Sequence, residues 1–302
     1  MSILVAGGGG FIGSHLVKKL VETGEKGVVF DSQPISHSLQ NLGGQVVGVK
    51  GDATQLADIL HAIQDHEVRD IYHLIALLAD VCQQKPLLAL KANVETTLNF
   101  LEAARLCNLG KVIFASSVAV YHPNERSPVG EDAPTNPPSV YGATKVSSEF
   151  FGLHYHRNFG IDFRALRFTT IYGRGKSGGS TGICSLMIEK SAMGESTRGD
   201  VRDAVTDWLY IKDAINSLIL ARKVGSPQER IFNIGGGSYR VGEVAEAVKR
   251  LIPSAQIELE AKRLFPWPPS YDWKRAEREL GYKPQFNLES GVKDFIEEVR
   301  KS

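Results

Sequence analysis

Ser2-Ile-Leu-Val-Ala6-Gly7-Gly-Gly-Gly10-Phe-Ile-Gly13-Ser-His-Leu-Val17 is the stretch that decides the fold. Its apolar run Ile3–Ala6 suits a short buried strand. Gly7, Gly10 and Gly13 follow as G-x-x-G-x-x-G, and an amphipathic pattern over 11–23 then reads as a helix. Glycines between a strand and a helix allow a tight turn and close backbone approach to a ligand. The helix that follows aims its free N–H groups and positive dipole end at that ligand.

Further strand-like runs lie at Val28–Asp31, Val46–Val49, Ile71–Ile75, Val112–Ala115 and Phe163–Arg167, with helical patterns near 55–65, 92–107 and 141–158. Strands alternating with helices predict a parallel sheet covered on both faces, wound by right-handed crossovers. After Arg167 the pattern loosens. Residues 173–182 are glycine-rich, a helix is expected around 184–194, and 208–223 resume strand-to-helix character. Ile231–Ile234 reads as another buried strand, and helices follow at 241–251, 273–280 and 289–300. The expected α/β architecture is a Rossmann-type doubly wound parallel sheet with a smaller C-terminal substrate-binding cap. The core spans 1–170, with 205–235 returning to it; 171–204 and 236–302 form the cap.

A strand–glycine turn–helix unit of this kind fits a dinucleotide pyrophosphate, which Gly7, Gly10, Phe11, Ile12 and Gly13 would cradle. Asp31 ends the second strand-like run, 21 residues after Gly10. A carboxylate there can accept bonds from both ribose hydroxyls and would repel a 2′-phosphate, so NAD is expected over NADP.

Tyr141-Gly-Ala-Thr-Lys145 sets a phenol and an amine at i and i+4, on one helix face. A nearby ammonium favours the tyrosinate, which lets a tyrosine act as base toward an alcohol while hydride leaves its carbon. Ser116-Ser117 follows the strand ending at Ala115, where parallel sheets bind ligands, and Ser117 can donate to the same substrate oxygen.

Together these residues resemble the extended short-chain dehydrogenase/reductase family, in its NAD-dependent epimerase/dehydratase branch. Besides those quoted, the matching pieces are Gly51-Asp52-Ala53, His73-Leu74-Ile75-Ala76, Asn93, Tyr121, Leu166-Arg167…Tyr172-Gly173, Asp207-Trp-Leu-Tyr210-Ile-x-Asp213, Phe232-Asn233-Ile-Gly235 and Glu279-Leu-Gly281-Tyr-Lys-Pro284. They span nearly the whole chain in family order. The resemblance implies that Asp52 and Ala53 line the adenine pocket and that Leu74 and Ala76 flank diphosphate and ribose. It implies that Asn93 and Ser116 belong to the cofactor site, and that Ser117, Tyr141 and Lys145 carry the chemistry, with Tyr141 and Lys145 also contacting cofactor. It also implies a homodimer built from the helices at 92–107 and 141–158, in which Phe150, Phe151 and Tyr155 offer an apolar stripe.

Three departures bear on the substrate. Val118 and Ala119 follow Ser117, so the acid used to eliminate water from nucleotide sugars is missing. Thr170 and Thr206 stand where nucleotide-sugar enzymes usually carry Asn and Arg, and 266–271 read PWPPSY where a later Arg is expected. A diphosphate binds best through arginine forks. Arg174, Lys176, Arg198, Arg202 and Arg263 are the available substitutes, and Trp267, Tyr271 and Trp273 are candidate pocket walls. The expected activity is reversible hydride transfer at a secondary alcohol or ketone of a small sugar-like or hydroxy-acid substrate. A sugar or nucleotide-sugar 4-epimerase with tightly bound NAD is the alternative, since its catalytic residues would be the same. A non-catalytic NAD-binding regulator is a third possibility.

Composition excludes other classes. The chain has 302 residues, 42% hydrophobic and 23% charged, so it suits one large or two small domains with a full core. With 35 Lys plus Arg against 34 Asp plus Glu, there is no basic excess for nucleic acid or an anionic membrane. No apolar run approaches the roughly 20 residues of a membrane span. Cys82, Cys107 and Cys184 lack metal or disulfide spacing, and the N-terminus lacks a signal-peptide pattern, so a cytoplasmic location is expected. Gly175-Lys-Ser177-Gly-Gly179 fits the hydrolase elbow G-x-S-x-G, but all eight histidines lie at or before His156, so none follows as base. The same loop is a candidate substrate lid. His154 and His156 are two apart on a helix and share no face, so no metal site is expected.

Overall fold

The computed structural model describes residues 2–36, 39, 41–176, 178–179 and 181–301. Its strands are β1 (Ser2–Ala6), β2 (Gly27–Asp31), β3 (Val46–Lys50), β4 (Val68–His73), β5 (Lys111–Ser117), β6 (Asp162–Phe168), β7 (Thr170–Tyr172), β8 (Thr197–Gly199), β9 (Val205–Tyr210), β10 (Ile231–Ile234), β11 (Ser238–Arg240) and β12 (Ile257–Leu259). Its helices are α1 (Phe11–Glu22), α2 (Leu56–Asp65), α3 (Ala79–Gln84), α4 (Pro86–Ala89), α5 (Thr96–Leu106), α6 (Val140–Phe159), α7 (Gly182–Ala192), α8 (Ile211–Lys223), α9 (Val241–Leu251), α10 (Lys274–Leu280) and α11 (Leu288–Arg300).

Seven strands form one sheet in the order β3-β2-β1-β4-β5-β6-β10, every pair parallel. This is the Rossmann-type doubly wound arrangement. The order reverses between β1 and β4, which opens a crevice at the strands' C-terminal ends. Alternation along β1 explains the two-sided core. Ile3 and Val5 join one buried cluster with Leu16, Val17 and Leu20 of α1, while Leu4 and Ala6 join another with Ile59 and Ile63 of α2 and Phe100 of α5. Each such side chain contributes roughly 1.5–3 kcal/mol by leaving water.

Two small sheets stand beside the large one: β11-β9-β7, and the pair β12-β8. Three-residue strands such as β7, β8, β11 and β12 are too short to show a period, and the sequence reading does not contain them. The helix expected at 92–107 proves part of a longer run. It begins at Pro86, passes through a π-helical segment at Leu90–Glu95 and continues as α5. The edge strand β3 is largely exposed rather than buried. The folded surface is 13662 Å², close to the roughly 12,500 Å² expected for this mass. Among the described residues no helix is long and apolar enough to cross a membrane.

Candidate active site

The glycine turn sits at the crevice. Gly7 has φ +76°, a left-handed conformation that other residues adopt at a cost. A Cβ at Gly13 would lie 2.2 Å from the Gly7 carbonyl oxygen and 2.6 Å from Gly8 Cα, so the turn closes only over glycine. Gly10 N-caps α1 with no side chain capping it, which leaves the helix's first N–H groups pointing into the crevice. Phe11 stacks edge-on against His15 at 5.7 Å and borders Gly173 of the glycine-rich loop, while Ile12 packs against the core.

Asp31, at the end of β2, reaches back to this turn. Its Oδ2 accepts from Gly9 N–H at 3.1 Å and its Oδ1 from Gln33 N–H at 3.2 Å. Each oxygen keeps a lone pair for ribose. The Asp52 side chain accepts from both the backbone N–H and the hydroxyl of Thr54 at 2.9 Å, and Ala53 is buried, its carbonyl held by Asn99 at 2.9 Å. Leu74 and Ala76 are partly exposed on the loop after β4, where Leu74 N–H bonds the Ala6 carbonyl at 3.0 Å. A cradle that a Cβ would fill, a strand-end carboxylate and open helix N–H groups together fit a dinucleotide.

Two residues expected at the cofactor site turn their side chains into the protein. Asn93 is buried, and its amide is spent on the protein: Oδ1 accepts from Leu77 N–H at 2.7 Å, while Nδ2 donates to the Leu77 carbonyl at 3.2 Å and Thr144 Oγ1 at 3.0 Å. It fixes the loop after β4 instead of presenting a free group. The Ser116 hydroxyl is likewise turned inward, donating to Glu149 Oε1 at 2.5 Å.

Ser117, Tyr141 and Lys145 do come together. Ser117 ends β5, and its hydroxyl accepts from Ala119 N–H at 3.1 Å and meets the Tyr141 hydroxyl. Ser139 N-caps α6 by accepting from Gly142 N–H at 3.1 Å, which fixes where the helix begins and hence where Tyr141 points. Gly142 is required there, because a Cβ would lie 2.2 Å from the Ala119 carbonyl oxygen. Lys145 is buried, with Nζ donating to the Ala115 carbonyl at 2.7 Å and lying 4.6 Å from the centre of the Phe114 ring and 5.6 Å from that of Tyr141.

Burial dominates both titrations. It pushes the Tyr141 phenol up to about 12, against the pull of the Ser117 hydrogen bond. It brings the Lys145 ammonium down to about 8, with Glu149 opposing the fall. At neutral pH the pair is therefore a neutral phenol beside a mostly protonated amine.

In the β7–β9 sheet, Thr170 and Thr206 share a hydrogen bond at 2.8 Å, and the Trp267 indole donates to Thr206 Oγ1 at 3.0 Å while stacking on Phe265 at 4.6 Å. Of the five candidate cations, Arg198 pairs with Glu258, Arg202 with Asp203 and Arg263 with Asp200, all at exposed positions, and Arg174 bonds the Glu298 carbonyl. Lys176 is occupied by the Ile171 carbonyl at 2.7 Å and Thr181 Oγ1 at 2.9 Å. Tyr271 is buried against Tyr121, and Trp273 packs on the core beside Gly235. Ser177, centre of the hydrolase-like string, lies outside the described residues. Among the described residues no cluster of three or more His, Cys, Asp or Glu could hold a metal.

The model of the NAD dependent epimerase/dehydratase family matches residues 3–235, from β1 to just past β10. The chain belongs to that family. As in the family at large, NAD is the cofactor and the chemistry is that of an NAD-dependent epimerase or dehydrogenase. A putative UDP-glucose 4-epimerase of Methanocaldococcus jannaschii is 31% identical over 307 residues, covering 97% of both chains. Among solved structures, a partial consensus L-threonine 3-dehydrogenase superposes with TM-score 0.92 at 25% identity, covering 100% of both chains. The UDP-glucose 4-epimerase of Thermotoga maritima, solved with UDP-glucose, superposes with TM-score 0.89 at 27% identity, covering 100% of this chain and 99% of that one. The family thus offers both a small-substrate dehydrogenase and a nucleotide-sugar epimerase as neighbours.

Proposed function

We propose that this chain catalyses reversible oxidation of a secondary alcohol on a small sugar-like or hydroxy-acid substrate. The observation that carries the choice is the Thr170–Thr206–Trp267 triad, whose hydroxyls and indole satisfy one another and offer no cation to a diphosphate. Gly7, Gly10, Phe11, Ile12 and Gly13 hold the pyrophosphate of NAD, Asp31 its adenosine ribose, and Asp52, Ala53, Leu74 and Ala76 line its path. When bound, NAD supplies the hydride acceptor and a positive charge near Tyr141. That charge and the ammonium of Lys145 would favour the tyrosinate, and Tyr141 in that form would take the alcohol proton while Ser117 donates to the same oxygen.

Residues 171–204 and 236–302 serve as the substrate cap over a core of 1–170 and 205–235, with the glycine-rich loop as its lid. The chain works as a homodimer through the helices at 92–107 and 141–158, supported by exposed Leu87, Leu90 and Phe150 on that side. Free Cys82, Cys107 and Cys184 support a reducing, cytoplasmic setting.

NADH formation with a panel of sugars, sugar acids, hydroxy acids and L-threonine tests the reading. At least one compound is expected to reduce NAD, and Tyr141→Phe should lower that turnover by roughly 10²–10⁴. Interconversion of UDP-glucose and UDP-galactose without net NADH, and no turnover of the panel, would establish the epimerase instead. The 31% identical putative epimerase favours that second reading.

A further inference from the structure

We infer that Glu149 is a positioning residue that holds Ser117 and Lys145 in register and ties both to the 129–131 and 271–272 segments beneath the substrate wall. The inference rests on the proposed roles of Ser117, Tyr141 and Lys145.

Three consecutive residues at the end of β5 each meet one residue of α6, spaced a turn apart along the helix. The Ser117 hydroxyl meets Tyr141. The Ala115 carbonyl accepts from Lys145 Nζ at 2.7 Å. The Ser116 hydroxyl donates to Glu149 Oε1 at 2.5 Å. Strand end and helix are thus latched at three points, and Glu149 makes the third.

From Glu149 the chain of bonds runs away from the cofactor. Arg167 grips its carboxylate with two N–H groups, at 2.8 and 2.7 Å, and donates a third bond to the Tyr121 hydroxyl at 2.7 Å. Tyr121 donates to Asn233 Oδ1 at 2.8 Å. Asn233 in turn donates to the Val129 carbonyl at 3.0 Å, to the Asp272 carbonyl at 3.2 Å and, from its backbone, to Glu131 at 2.9 Å. Val129 and the 270–272 segment bond each other, and that segment leads directly from Trp267 on the substrate wall. Glu149, Arg167, Tyr121 and Asn233 are all at most 3% exposed, so the network is buried end to end.

A buried ion pair is weak evidence of stability, since matched apolar residues often do as well. A charge beside Lys145 has a separate consequence. The ammonium faces the Tyr141 phenol on α6, the Cys82 thiol on α3 and the neutral His73 imidazole on β4. Glu149 is the carboxylate that opposes desolvation of Lys145.

The test is the titration of Lys145 in the full-length protein, followed by NMR of lysine labelled at Cε and assigned with Lys145→Arg. Glu149→Gln should shift the midpoint down by about half a pH unit or more, roughly threefold in the proton equilibrium. Glu149→Asp, which keeps the charge, should restore most of the shift. Tyr121→Phe should leave the midpoint in place yet raise amide exchange together at 115–117, 129–131 and 271–272. If Glu149→Gln does not fold, Tyr121→Phe carries the test through amide exchange alone. An unchanged midpoint in the folded variant, or exchange rising at one end of the network alone in Tyr121→Phe, would overturn the inference. These readouts need no substrate. Failure of every panel compound would therefore fall on the proposed function and leave this test standing.

Discussion

His73 sits on β4 between the rings of Phe100 and Phe114, 4.8 and 5.4 Å away, with Nε2 on Thr97 Oγ1 at 2.9 Å and Nδ1 buried with no hydrogen-bond partner among the described residues. Burial brings its pKa down to about 3 from an ordinary 6.5. Between those values the unfolded chain binds a proton that the folded chain refuses. Stability must therefore fall as the pH drops through 6.5 toward 3, by up to about 1.4 kcal/mol per pH unit from this group. His73→Gln keeps a polar atom near Thr97 and cannot take that proton, so its urea midpoint should decline less between pH 7 and 4 than that of the parent. Equal declines would show that other groups set the acid limb. The same burial logic is only half legible in the sequence. Tyr141, Lys145 and Ser117 are readable because spacing and strand-end position place them. The inward turn of Asn93 and Ser116 is not, because which way a hydroxyl or amide faces depends on partners elsewhere in the chain, such as Leu77, Thr144 and Glu149.

The β1–turn–α1 element shows why some structure is readable from a dozen residues. Its third motif glycine, Gly13, is fixed by backbone contacts made inside the element itself. The nearest atoms to a Cβ at Gly13 are Gly7 and Gly8 backbone, and backbone cannot rotate aside. Gly13→Ala should cost about 1–3 kcal/mol through overpacking, and about tenfold or more in NAD affinity if the turn absorbs the strain. Calorimetric titration with NAD, alongside the thermal midpoint, checks this. Gly44→Ala, where nothing lies within 4 Å of the added carbon, is the control. Gly13→Ala binding NAD as the parent does would show that the turn does not need this approach. The run from Pro86 to Leu106 is the opposite case. Its π-helical segment at Leu90–Glu95 breaks the 3.6-residue period, so the apolar pattern before Ala92 has no helical signature. Thr170, Thr206 and Trp267 are each legible as candidate positions, but their contact is not: they are distant in sequence, and the pairing of β7 with β9 brings the first two together.

At the scale of the whole molecule, the apolar surface is unevenly spread. Leu87 is 80% exposed, Leu90 54% and Phe150 61%, and they lie on the Pro86–Leu106 run and the adjoining α6. A folded chain gains nothing from presenting leucine and phenylalanine on packed helices unless another surface covers them. In a two-fold pairing each such residue meets the same patch on its partner, so one charge introduced at the centre is felt twice. Phe150→Asp should therefore shift the chain toward monomer in sedimentation velocity. The proposed NAD-binding and catalytic residues all come from a single chain, so the variant should still bind NAD. A parent protein that sediments as a monomer at micromolar concentration would refute the dimer. A Phe150→Asp protein that stays dimeric would move the interface off these helices. Loss of NAD binding on dissociation would instead mean that α6, which carries Tyr141, Lys145 and Glu149, depends on the partner to hold its place.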